Sequence, residues 1–308
     1  MEKEFKTIDE QIEILKTRKI IIEDYRKVCK ILEKNNYYYL INGYKDLFLD
    51  VTSKTEKYRN NTKIEEIYAL YTFDKNMKAT FLKYILLLES EIDTYIAYEF
   101  SKTYGHKNYL ILENFNHIHS NISKIEKFIN DINLEIKYQY KSSNKMIVHY
   151  LDSYQNIPLW VLVRILSFGK ISKFYSLMKQ KEQNAISRKY NLKITELKIY
   201  LQNLTLIRNI CAHDEKLYDI KMRSRIFSTC YHEKLNIKKN SKYQYATRDL
   251  FSIVIILKVL LEREQFNEFY AQIINYIEHL KNQLVTIEID KVLYKMGFPR
   301  NYKKLLKL

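Results

Sequence analysis

The chain has 308 residues, 52 of them Lys or Arg and 36 Asp or Glu, for a formal net charge of +16 at pH 7. Only 4 residues are glycine and 2 are proline, where average usage of roughly 7% and 5% would supply several times as many. Gly43, Gly105, Gly169 and Gly297 stand far apart, which excludes GxGxxG fingerprints and P-loops, and turn-rich barrels, sandwiches and Gly/Ser linkers with them.

What remains is an all-α chain of helices joined by short polar turns, and a hydrophobic content of 46% supplies a real core. Thr7 to Glu10 has the spacing of a capping box, and Ile8, Ile12 and Leu15 follow at helical intervals, predicting a first helix to about Arg18. A second helical pattern covers roughly residues 22 to 33. The aromatic cluster from Asn35 to Tyr44, with Gly43, reads as a packed turn. A long helix is predicted from Ile64 to about Thr103, with Leu70, Phe73, Met77, Phe81, Ile85, Leu88, Ile92, Ile96 and Phe100 on one stripe and Gly105 just past its end. Residues 108 to 156 are polar and poorly periodic, and predict short helices and loops. Pro158 occupies a favoured first-turn position and opens a helix to Gly169, continued from Ile171 to about Lys181. A helix follows from Leu192 to about Ala212, then a basic, loop-like stretch from Tyr218 to Tyr245. One or two helices from Arg248 to about Leu284 complete the pattern.

A surplus of 16 positive charges favours a polyanionic partner, nucleic acid or an anionic membrane surface. Over-use of Lys, Ile, Asn and Tyr, as in AT-rich genomes, accounts for the same number without any partner. Cys29, Cys211 and Cys230 are odd in number and lack CxxC spacing, so they build neither a disulfide framework nor a zinc site. The first residues lack the apolar stretch of a signal peptide. The longest apolar run, Phe251 to Leu261, is broken by Lys258 and falls far short of the ~20 residues that span a bilayer. A soluble, cytoplasmic protein with no membrane partner is expected.

The stretch from Leu201 to Asp219 carries chemistry. On a helix, Leu197, Leu201, Leu204, Ile207 and Cys211 form one apolar stripe, and Arg208 falls inside it. A guanidinium there is expensive unless paired. Asn209 and His213 flank the same side one turn apart. The three suit phosphate chemistry on RNA: His213 moves the proton of a ribose 2′-hydroxyl or of the leaving oxygen, Arg208 clamps the phosphate, and Asn209 orients imidazole or phosphate. With the 2′-hydroxyl as nucleophile neither metal nor cofactor is needed. At a two-fold interface, two such sets would meet on one phosphate. The residues alone leave open a simpler arrangement, with Arg208 paired to a neighbouring helix's carboxylate and His213 merely ending its own helix.

Arg208-Asn209-Ile-Cys-Ala-His213 resembles the signature of HEPN domains: Arg, a polar residue, three residues, His. The longer pattern resembles the AbiD/AbiF-like abortive-infection family of bacterial phage-defence proteins. It includes residues 10 to 18, the tyrosine cluster 36 to 44, and Tyr71 to Asp74 with the segment 88 to 101. Pro158 to Gly169 and Met296 to Pro299 complete it. The chain departs from that pattern at Tyr39 and at Asp93 or Thr94, where the family tends to have basic residues, and at Arg164, near which it has Glu. The resemblance implies an all-α HEPN-type bundle, with an N-terminal helical region over 1–62 and a HEPN-like core with C-terminal helices over 63–308. It also implies homodimerisation around a composite site and metal-independent RNA cleavage leaving a cyclic phosphate, in a toxin restrained by a structured noncoding RNA. A non-catalytic RNA-binding phage-defence protein of the same fold, or an inert adaptor, are the alternatives.

Other candidates are weaker. Lys170, Lys173 and Lys216 lie near the matched motifs as candidate RNA contacts, with a solvated charged face as the plainer reading. Arg225 and His232 repeat the separation, but Ile226 stands where a polar residue is expected, which marks a chance match. Glu113, His117 and His119 lack a fourth metal ligand nearby and read as loop residues. The 28 tyrosines include stacking platforms for unpaired bases, though most are expected in the core and its boundary.

Overall fold

A computed structural model describes residues 4–237 and 245–308 of the chain. Among the described residues the secondary structure is helical, with only three isolated β-bridges (Ile21 to Lys63, Leu49 to Tyr58, Phe115 to Met178) and no strand. The fold is all-α, as the scarcity of glycine and proline predicted. In chain order the helices are α1 (Ile8–Thr17), α2 (Tyr25–Lys34), α3 (Ile64–Tyr104), α4 (Ile122–Lys141), α5 (Lys145–Tyr154), α6 (Leu159–Leu162), α7 (Phe168–Leu177), α8 (Gln180–Ser187), α9 (Ile194–Ala212), α10 (Cys230–Lys234), α11 (Leu250–Leu260), α12 (Arg263–Gln283) and α13 (Ile289–Met296).

The spine is α3, 41 residues without a glycine or proline. Leu70, Met77, Phe81, Ile85, Ile92, Ile96 and Phe100 are fully buried along it, and it stops at Gly105, whose φ of 86° suits a residue without a Cβ. It packs along α12, where Phe81 meets Phe269 edge-on and the hydroxyl of Tyr84 donates to Glu268, and along α9 on another side. Near the N-terminal end of α3, the buried carboxylate of Glu66 accepts from the backbone N–H groups of Val285 and Thr286 at 2.6 and 2.7 Å, tying in the segment after α12. The capping box at Thr7 is present, and the cluster around Tyr38–Asn42 forms a π-helical turn with Leu40, Ile41 and Tyr44 buried. Tyr68, Tyr71, Tyr84 and Tyr95 face the core or its boundary.

Two stretches differ from the expectation. Within 108–156, α4 is a full 20-residue helix that buries Ile125, Phe128 and Ile132, with Phe128 meeting Phe115 and Phe174 edge-on. Pro158 does not open one helix to Gly169. It caps the four-residue α6, a 3₁₀ turn follows, and the chain restarts at Ser167, whose hydroxyl accepts from the Lys170 N–H at 3.4 Å as the N-cap of α7. Gly169 therefore lies inside the first turn of α7, where an added Cβ would rest 3.5 Å from the Thr205 methyl of α9. Of the basic stretch from Tyr218 to Tyr245, residues 238–244 lie outside the described residues; the rest is loop around the short α10. Helix α13, ended by Gly297, lies beyond the helices that the sequence pattern predicts.

Gly297 marks a second point where only glycine fits. Its φ is 77°, and an added Cβ would lie 2.0 Å from the Asp249 carboxyl carbon. That carboxylate is buried at the start of α11, where it accepts from the N–H groups of Ala246 and Ser252. Gly297→Ala is expected to destabilise the protein by about 2 kcal/mol or more, from left-handed backbone cost plus displacement of Asp249. Urea unfolding of the full-length variant checks this, and an unchanged midpoint would contradict it.

Candidate functional site

Helix α9 buries Leu197, Leu201, Leu204 and Ile207 as its pattern requires. Arg208 stands at the edge of that stripe, its side chain 30% exposed. Its cost is offset by a carboxylate of α3: Nε donates to Glu89 Oε2 at 3.4 Å. The guanidinium is thus paired through one nitrogen, and among the described residues its two terminal nitrogens have no partner. Two unpaired terminal nitrogens are the planar fork by which a guanidinium grips phosphate. Asn209 and His213 are both exposed, and His213 caps α9 with its own N–H donated to the Asn209 carbonyl at 2.9 Å. Arg208, Asn209 and His213 thus lie within the last two turns of α9, and Arg208 has the neighbouring carboxylate partner of the simpler arrangement. Between them, burial pushes the Cys211 thiol up to about 12, so it packs rather than reacts.

The backbone beyond His213 is fixed by one turn of α3. Asp214 takes a left-handed φ of 55° and reverses the chain. Its carboxylate accepts from the buried Lys78 at 2.5 Å. Three residues later, the N–H groups of Leu217 and Tyr218 donate to Asp74 at 3.0 and 2.7 Å, and the Tyr44 hydroxyl donates to it at 2.6 Å. Asp74 is fully buried; burial lifts its carboxyl to about 6, while Tyr44, the two backbone donors and Lys78 hold it from rising further. Because Lys78 reaches Asp214 and Glu89 reaches Arg208, α3 and α9 run antiparallel, and His213 is bracketed between two contacts to one rigid helix.

Lys216 lies just beyond. It donates to Asp219 at 2.8 Å and lies over the Tyr218 ring, beside a cleft of about 320 Å³ lined by Tyr38, Tyr39, Tyr44, Tyr71 and Asp214. Lys170 and Lys173 are placed differently. Both sit on α7 and face α4, Lys170 bound to Glu135 and Lys173 3.7 Å from Asp131 and over the Phe128 ring. Those two lysines bridge α7 to α4. Sequence reasoning missed Glu89, Lys78 and the role of Asp74, because their partners lie more than a hundred residues away in the chain.

The remaining candidates fall away. His232 is buried: Nδ1 accepts the Thr229 N–H at 3.1 Å, leaving Nε2 to donate to the Ala246 carbonyl at 3.0 Å, and burial lowers its pKa. It is a neutral structural histidine, consistent with a chance spacing. His117 contacts the Phe115 carbonyl, and among the described residues no group of three or more His, Cys, Asp or Glu is placed to hold a metal ion.

A family model described as Abi-like protein matches residues 30–219, more than half of the chain. The chain belongs to the Abi-like family. The matched span runs from α2 to Asp219, and so contains Asp74, Glu89, the Arg208–His213 turn and the loop that Asp74 pins. The family associates this Abi-like protein with abortive infection, a form of phage defence. No curated protein and no solved structure matches the chain. Among the described residues, no helix of the Abi-like chain is long and apolar enough to cross a membrane.

Asp74→Ala strips a buried acceptor from two backbone N–H groups and a tyrosine hydroxyl. It is expected to cost about 3 kcal/mol or more and to speed amide hydrogen exchange at residues 214–218. Lys173→Ala, which loses a part-exposed ion pair and a cation–π contact with Phe128, should cost no more than about 1 kcal/mol. Chemical denaturation with hydrogen exchange compares them; equal effects would contradict the anchoring role of Asp74.

Proposed function

We propose that this Abi-like protein is a HEPN-type endoribonuclease that acts in abortive infection as a homodimer. One observation carries the reading: Arg208 keeps two guanidinium nitrogens free beside an exposed Asn209 and His213, on a turn braced from α3 at both ends. In the proposed step the ribose 2′-hydroxyl loses its proton to one His213 and attacks the adjacent phosphorus. The P–O5′ bond breaks, and the 5′-oxygen takes a proton from the His213 of the second protomer. The products are a 2′,3′-cyclic phosphate and a 5′-hydroxyl, with no redox change. Arg208 meets the charge building on the phosphoryl oxygens, and Asn209 orients imidazole or phosphate. Leu86 and Leu87, exposed on α3 just before Glu89, supply an apolar surface beside the site where the two-fold contact would form.

The net charge of +16 supports an RNA partner through the phosphate backbone, and a structured noncoding RNA is the proposed restraint on the toxin. Lys216, beside the tyrosine cleft, is the best placed of the three candidate RNA contacts; Lys170 and Lys173 would first have to leave their carboxylates. A second reading, a non-catalytic RNA-binding defence protein of the same fold, is favoured by the Arg208–Glu89 pair, which occupies the Nε edge of the guanidinium.

Arg208→Ala and His213→Ala are each expected to relieve the growth arrest caused by expression, by at least tenfold in surviving colonies, with both variants still folded. Full toxicity in both would rule the assignment out. Relief of arrest with RNA released but no cleavage by the parent protein would favour the second reading.

A further inference from the structure

One turn beyond Glu89, α3 lines a second cleft of about 480 Å³, closed on its other side by Trp160 and Arg164. This is the size of a small-ligand site. Its floor holds Asp93, only 4% exposed, whose Oδ1 is buried without a hydrogen-bond partner. The other oxygen, Oδ2, lies 3.9 Å from Arg164 Nη1, an ion pair too long to be a hydrogen bond, and Nη1 itself donates to the Ser90 hydroxyl. A buried carboxylate without donors is costly, and such groups ordinarily find partners. Burial, reinforced by Glu89 and opposed by Arg164, lifts the Asp93 carboxyl to about 7, as expected of an acceptor that lacks its donor. The walls are flat and open: the Trp160 ring is 53% exposed and tilted over His106 at 5.5 Å, and Tyr98 is 61% exposed.

A planar ring that donates hydrogen bonds fits these walls and this floor. A free organic cation does not, because Arg164 and Lys102 put two positive charges around the single carboxylate. A neutral ring that carries a phosphate satisfies both. Among nucleobases, guanine offers two adjacent N–H donors on one edge. Adenine and cytosine set an acceptor lone pair beside their amino group, which would face the carboxylate. We propose that this cleft binds a guanine base, stacked on Trp160 with its N1–H and N2–H donated to Asp93, and with its phosphate toward Arg164 and Lys102. The base comes either from single-stranded RNA or from a free nucleotide. Asp93 and Arg164 face each other across the cleft. The proposal stands whether or not Arg208 and His213 cleave RNA.

Trp160 is the only tryptophan of the chain, so its fluorescence reads this cleft alone. The RNA-free full-length protein is titrated with GMP, AMP and CMP, and with two short single-stranded RNAs, one with and one without guanosine, in the His213→Ala background to prevent cleavage. Saturable quenching by GMP, at least tenfold tighter than by AMP or CMP, is expected from two charge-assisted hydrogen bonds. Asp93→Asn should weaken GMP at least tenfold and turn the preference toward AMP, since an amide offers one acceptor and one donor. An unfolded variant could not show such a reversal. Quenching by the guanosine-containing RNA tighter than by GMP assigns the base to RNA; quenching by GMP equal or tighter assigns it to a free nucleotide. Absence of saturable quenching by any of them, or equal quenching by all three nucleotides unchanged in Asp93→Asn, would overturn the proposal.

Discussion

Three segments of the chain converge on the Asp74 carboxylate. The N-terminal region reaches it through the Tyr44 hydroxyl, the loop after α9 through the N–H groups of Leu217 and Tyr218, and α3 supplies Asp74 itself. Burying that charge is unfavourable, as its raised pKa records, and the hydrogen bonds make it tolerable. The arrangement trades local stability for position: the loop behind His213 cannot drift without exposing two backbone donors to an apolar core. Lys78, one turn on, extends the same grip to Asp214. The candidate site is thus built by α3 more than by the helix that carries its residues.

Along α3 the charged residues follow one another by turns. Asp74 and Lys78 hold the loop, Glu89 holds Arg208, and Asp93 faces the aromatic cleft opposite Arg164. Glu89 lies one turn from Asp93 and raises its pKa. Arg208, Glu89, Asp93 and Arg164 thus follow one another along one side of α3.

Much of the fold was legible in the residues. Scarce glycine and proline gave the helical class, the long stripe from Leu70 to Phe100 gave α3, and Gly105 gave its end. The apolar stripe of α9 made Arg208 conspicuous, because a cation among leucines must meet a partner. Helix α4 escaped notice because Ile125, Phe128 and Ile132 are spaced among lysines and asparagines that mask their period. The break between α6 and α7 escaped because Ser167 caps a helix inside an apolar run. Glu89 as the partner of Arg208, and Asp74 as the anchor of the loop, were invisible for a different reason. Those pairs span 119 and 143 residues, and no local pattern encodes a contact made only after α3 and α9 have docked.

The central claim is that the braced turn ending in His213 cleaves RNA by attack of the 2′-hydroxyl. The direct measurement is the chemistry of the RNA ends left by the purified full-length protein in the presence of EDTA. The account predicts fragments ending in 2′,3′-cyclic phosphate and beginning with 5′-hydroxyl, and no fragments from His213→Ala under the same conditions. Fragments with the same ends from His213→Ala, or cleavage by the parent protein that appears only when a divalent cation is restored, would contradict it.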